Sequence, residues 1–77
     1  MKTNYQYILF DEIPSKTITS KWECRNRKGG DFLGRVKWFG PWRQYCFFAS
    51  RLEPVFSAGC LADIQDFISQ LMKARAA

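Results

Sequence analysis

Basic and aromatic residues interleave over Arg35-Val36-Lys37-Trp38-Phe39-Gly40-Pro41-Trp42-Arg43-Gln44-Tyr45, the stretch of the chain richest in groups that could do chemistry. Guanidinium and ammonium groups neutralise phosphates while flat rings stack on bases. Trp, Tyr and Arg are equally the residues that anchor protein–protein contacts. Both readings imply a partner held by contact. Turnover lacks its usual means, because the 77 residues contain no histidine. A general base at neutral pH would have to be a retuned carboxylate, lysine or thiolate. Asp11-Glu12 precede a turn, and Asp63 and Asp66 belong to the solvent side of a helix start, so these acids read as solvated groups and dipole partners. Gly29-Gly30 lacks the lysine and Ser/Thr of a phosphate loop and reads as a hairpin turn. The expectation is a protein that is not an enzyme, with no cofactor, no metal site and no small-molecule substrate.

The elements that position this stretch follow from periodicity. Residues 4–10 alternate as a first strand, ended by Asp11-Glu12-Ile13-Pro14-Ser15, whose proline cannot donate to a ladder. Residues 17–25 have period two, with Ile18, Ser20, Trp22 and Cys24 on one side and Lys21, Glu23 and Arg25 on the other. Asn26–Asp31 (NRKGGD) turns the chain, and strands are expected over 32–39 and 42–49 around Gly40-Pro41. Cys60, Leu61, Ile64, Phe67, Ile68 and Leu71 fall at helical spacing, predicting a helix over 58–74. Ser57 is its N-cap, with Phe56 packing on Leu61 as a staple. The fold class is therefore α+β: an antiparallel three- to four-stranded meander packed on one C-terminal helix (ββββα), a single domain over 1–77.

The register of the 32–39/42–49 hairpin decides what shares a face. An odd loop (Gly40 to Trp42) sets Lys37 opposite Tyr45 and Arg35 opposite Phe47. It gathers Arg35, Lys37, Arg43 and Tyr45 with Lys21 and Arg25 on the solvent face, and turns Val36, Trp38, Cys46 and Phe48 inward. An even loop mixes the faces. The odd register segregates polar from apolar better and is the expected one. Trp22 and Trp38 read as core; Trp42, beside the turn, is the tryptophan expected to be exposed.

Charge points to the same region. The net charge is +5, and nine Lys/Arg against two acids fall between Lys16 and Arg51. Such asymmetry fits an anionic partner, and Arg27 and Lys28 would extend the basic face. Three cysteines, odd in number and far apart, read as buried free thiols of an intracellular protein. No apolar run is long enough to span a bilayer, and the N-terminus does not read as a signal peptide, so a cytoplasmic chain without membrane contact is expected.

The residues Trp22, Gly30, Leu33, Gly34, Val36, Lys37 and Trp38, then Trp42, Arg43, Tyr45 and Phe47, then Cys60, Leu61, Ile64 and Phe67 form a pattern over residues 22–72. It resembles a group of small uncharacterised bacteriophage and prophage proteins with a Trp-Arg-x-Tyr-x-Phe strand and a Cys-Leu-x-x-Ile-x-x-Phe helix. The resemblance implies an accessory protein of the bacterial host cytoplasm, working stoichiometrically as a monomer or small homo-oligomer. Its partner would be a host or phage protein, as in an anti-defence inhibitor, with Arg35, Lys37, Trp42, Arg43 and Tyr45 as contacts. The alternative is nucleic acid on the same face.

Overall fold

Four strands and one helix follow in the expected order: β1 (Ile8–Ile13), β2 (Lys21–Asn26), β3 (Phe32–Phe39), β4 (Gln44–Ala49) and α1 (Ala58–Ala76). The structure, a computed structural model, describes residues 1–76; Ala77, the end of the expected domain, lies outside the described residues. The sheet is an antiparallel meander of order β1-β2-β3-β4. The fold is α+β, as the periodicity implies, with the helix across one sheet face.

Alternation explains that packing. Ile8 and Phe10 of β1, Cys24 of β2, Val36 of β3 and Tyr45 of β4 are buried against Ile64, Phe67 and Leu71 of α1. Phe67 is the hub: Phe10 stacks on it with centroids 4.0 Å apart, and Trp22 meets it edge-on at 5.1 Å. Trp22 and Trp38 are partly buried against this core, and Arg75 lies 4.0 Å over the Trp38 ring. Ser57 caps the helix, its Oγ accepting the Cys60 N–H at 3.2 Å. Leu61 departs from the expected stripe: it is 54% exposed, and Phe56 instead packs edge-on against Phe47 at 5.4 Å.

The strand starts also differ from the alternation. β1 begins at Ile8 and runs through Asp11 and Glu12, because residues 3–8 make a turn of their own. Tyr5 N–H donates to Ile8 O and Phe10 N–H to Thr3 O, both at 2.9 Å. Tyr5 leaves the strand pattern because the helix takes it. Its hydroxyl donates to Asp66 Oδ2 at 2.8 Å and accepts from Gln70 Nε2 at 3.0 Å, while Gln70 also bonds the Lys2 backbone. Asp66 is therefore a tether, not merely a solvated acid. β2 begins at Lys21, not residue 17. Ser15, Thr17 and Thr19 hydroxyls bond one another and the local backbone, a known competitor of the strand ladder, and leave Ile18 96% exposed.

The β3–β4 hairpin departs furthest from the expected pairing. Gly40–Trp42 form a 3-10 turn and Arg43 adopts the left-handed region at φ 52°, its N–H closing on Gly40 O. Arg43 adds one residue to the loop, so it is even: Trp38 faces Tyr45, Val36 faces Phe47 and Lys37 faces Cys46. A one-residue slip moves every side chain of a strand to the other face. Tyr45, expected on the solvent face, is 6% exposed, whereas Cys46 and Phe48 turn away from the helix. The reason is physical. Tyr-Cys-Phe-Phe is apolar at every position, so β4 has no polar side to guide pairing. Tyr45 can be buried because its hydroxyl sits 3.2 Å from the Ser20 N–H. Gly34 fixes the same register, since a Cβ there would meet Phe48 O at 2.5 Å and the Phe47 ring at 2.6 Å.

Candidate functional site

The sheet face turned away from α1 carries the groups that could bind a partner. β2 supplies Lys21, Glu23 and Arg25; β3 supplies Phe32, Arg35, Lys37 and Phe39; β4 supplies Gln44, Cys46 and Phe48. Phe32 reaches this face through a bulge. The register shifts between Cys24 and Arg25, so Phe32 sits opposite Arg25 while Leu33 packs toward the core.

Cations and rings are paired across this face. The Lys37 ammonium lies 4.5 Å over the Phe48 ring, and the Arg25 and Arg35 guanidinium groups lie 5.6 and 5.5 Å from Phe32. Phe39 meets Trp42 edge-on at 5.0 Å and Phe48 at 5.9 Å. Glu23 is engaged by Arg25 at 2.9 Å and more loosely by Arg35 at 3.7 Å. Lys21 and Lys37 are direct cross-strand neighbours, and among the described residues neither has a carboxylate within 4 Å. Like charges placed opposite one another on a sheet are destabilising. Such a pair becomes favourable once an anion lies between the two.

Of the residues singled out from the sequence, Lys21, Arg25, Arg35 and Lys37 come together on this face. Trp42 stands at its margin on the hairpin turn, 67% exposed, and Arg43 is exposed beside it. Tyr45 does not belong to the site. Phe32 and Phe48 were missed because their outward direction depends on the bulge and on Arg43's backbone respectively, and neither appears in an alternation count; Phe39 follows the same alternation as Arg35 and Lys37 but was not singled out. Gly30 and Gly34 around Phe32 were the available signal.

The Cys24 thiol offers little reactivity. Cys24 is fully buried, and burial, with Cys60 nearby, pushes its pKa up to about 12, so it stays a protonated thiol. Cys46 and Cys60 are only half-buried, not core thiols as expected; all three cysteines are free. The described helix is not long and apolar enough to cross a membrane.

The sequence is 36% identical over 72 residues to the "Uncharacterized 9.3 kDa protein" of Acholeplasma phage L2, covering 91% of this chain and 90% of that protein. The chain belongs to the family of that phage protein. The match runs over almost the whole of both chains and is not confined to the segment of the central hairpin. No protein-family model and no solved structure matches the chain.

Proposed function

We propose that this phage-family chain is a non-enzymatic accessory protein that binds single-stranded nucleic acid across the sheet face opposite α1. One observation carries the reading: Phe32, Phe39 and Phe48 lie among Lys21, Arg25, Arg35 and Lys37 on a single uncovered surface. Stacking on such rings is worth about 1–3 kcal/mol per base and tolerates any base. The cations supply the phosphate contacts, and the Lys21–Lys37 pair leaves positive charge that an anion relieves. A duplex would offer its base faces to none of these rings, so the fit is to an unpaired strand.

The test is fluorescence anisotropy of labelled single- and double-stranded DNA and RNA from about 50 to 300 mM salt. Two to four phosphate contacts give a log–log salt slope of about −1.5 to −3 for a single strand. Single strands should bind tighter than duplex, and Lys37→Ala should flatten the slope by about 0.7. No binding at the lowest salt would overturn the reading.

A second reading, contact with a host protein such as a defence complex, is favoured by Trp42. This ring is largely exposed at the hairpin tip with Arg43 beside it, the residue types that dominate protein interfaces. Tyr45, the other aromatic anchor expected there, is buried, which weakens this reading. Loss of host-protein capture on Trp42→Ala, without any nucleic-acid binding, would establish it.

A further inference from the structure

A cleft opens where β4 leaves the sheet, lined by Phe32, Arg35, Lys37 and Phe48 from the uncovered face and by Arg51 and Leu52 from the loop beyond Ala49. Its volume is about 360 Å³, inside the range of about 300–1,000 Å³ typical of small-ligand sites. Three cations and two phenyl rings line it, and no carboxylate does. Ser50 Oγ accepts the Leu52 N–H at 3.3 Å, bracing the loop that forms the outer wall.

We propose that this cleft is a mononucleotide subsite, in which one base lies on Phe48 or Phe32 while its phosphate is held by Lys37, Arg51 and Arg35. The inference rests on the nucleic-acid reading and adds a fixed anchoring point to it. Lys37 already lies over the Phe48 ring, so a phosphate drawing the ammonium aside uncovers the ring for the base. Both demands of a nucleotide are thus met by neighbouring groups. Here the 50–52 loop gives the face a wall. A strand bound to this protein is accordingly anchored at the cleft and lies across β3 and β2 from it.

Titration of ¹⁵N-labelled protein with nucleoside 5′-monophosphates, the matching nucleosides and inorganic phosphate tests this. The monophosphates should shift the amides of Phe48–Leu52, and the nucleosides should bind about tenfold more weakly, as expected for loss of charged hydrogen bonds. Arg51→Ala should weaken monophosphate binding by about tenfold with an unchanged thermal midpoint, since Arg51 is exposed and outside the strands. Equal shifts from inorganic phosphate at the same concentration would overturn the subsite, leaving only an anion site. If oligonucleotides bind and respond to Lys37→Ala while the Phe48–Leu52 amides stay unmoved by mononucleotides, the subsite falls and the wider reading stands. If neither oligonucleotides nor mononucleotides bind, both fall.

Discussion

The two faces of this sheet are both aromatic, yet their rings are used differently. Toward α1, Phe10 stacks on Phe67 of the helix and Trp22 meets it edge-on, while Trp38, half-buried on the same side, lies under Arg75. Away from α1, Phe32 and Phe48 are each attended by a cation, and Phe39 by the exposed Trp42. The first set is held by burial, the second by groups that water can also reach. Ring content alone therefore does not mark a core; what surrounds each ring does.

Paired truncations should separate the two faces by the largest margin. Phe67→Ala removes the hub of the inner face and should cost about 3–5 kcal/mol. That is a large share of the roughly 5–15 kcal/mol that stabilises a native domain. Phe48→Ala on the outer face should cost about 1 kcal/mol or less while weakening single-strand affinity about tenfold. Urea midpoints for both variants check this, and equal losses would mean that the outer rings are a second core.

A smaller effect should come from alkali, which acts on the inner face first. Burial raises the Cys24 thiol from 9.0 to about 12 and also raises Tyr5, through burial and then its bond to Asp66. Between pH 9 and 12 the unfolded chain gives up the Cys24 proton that the fold retains, so stability falls as pH rises through this window. Each such group removes up to about 1.4 kcal/mol per pH unit. Thermal midpoints from pH 8 to 11 should decline, and Cys24→Ala should flatten the first part of that decline.

How far the sequence reaches follows from the same contrast. Where polar and apolar residues alternate, as along Lys21–Asn26, or fall at helical spacing, as in Ile64, Phe67 and Leu71, side-chain direction is legible because burial dictates it. In Gln44–Ala49 the apolar residues are contiguous and either face could be buried. The choice then passes to backbone features: the left-handed turn of Arg43, the bulge that swings Phe32 outward and the close approach at Gly34. Lys21, Arg25, Arg35 and Lys37 were legible on this basis. Tyr45, Phe32 and Phe48 were not, whereas Phe39 follows the alternation of Arg35 and Lys37. Tyr5 escaped for another reason, since its partner lies 61 residues away.

The smallest effect sharpens the point. The left-handed region costs a non-glycine residue about 1–2 kcal/mol, partly offset by glycine's greater chain entropy. Arg43→Gly should therefore raise stability by up to about 1 kcal/mol without changing the register. A stability loss in chemical denaturation would instead assign the Arg43 side chain a structural role.

The tether of Tyr5 and Lys2 to Asp66 and Gln70 sets an order of events during synthesis. The segment before β1 and the helix α1 complete each other, with partners as far as 68 residues apart. On a ribosome the sheet can pair early, but Phe10 has no Phe67 to lie on until α1 has emerged. Until then the nascent sheet presents aromatic rings on both sides, the state most open to association. Only when the helix arrives does one side close and the two faces become distinct.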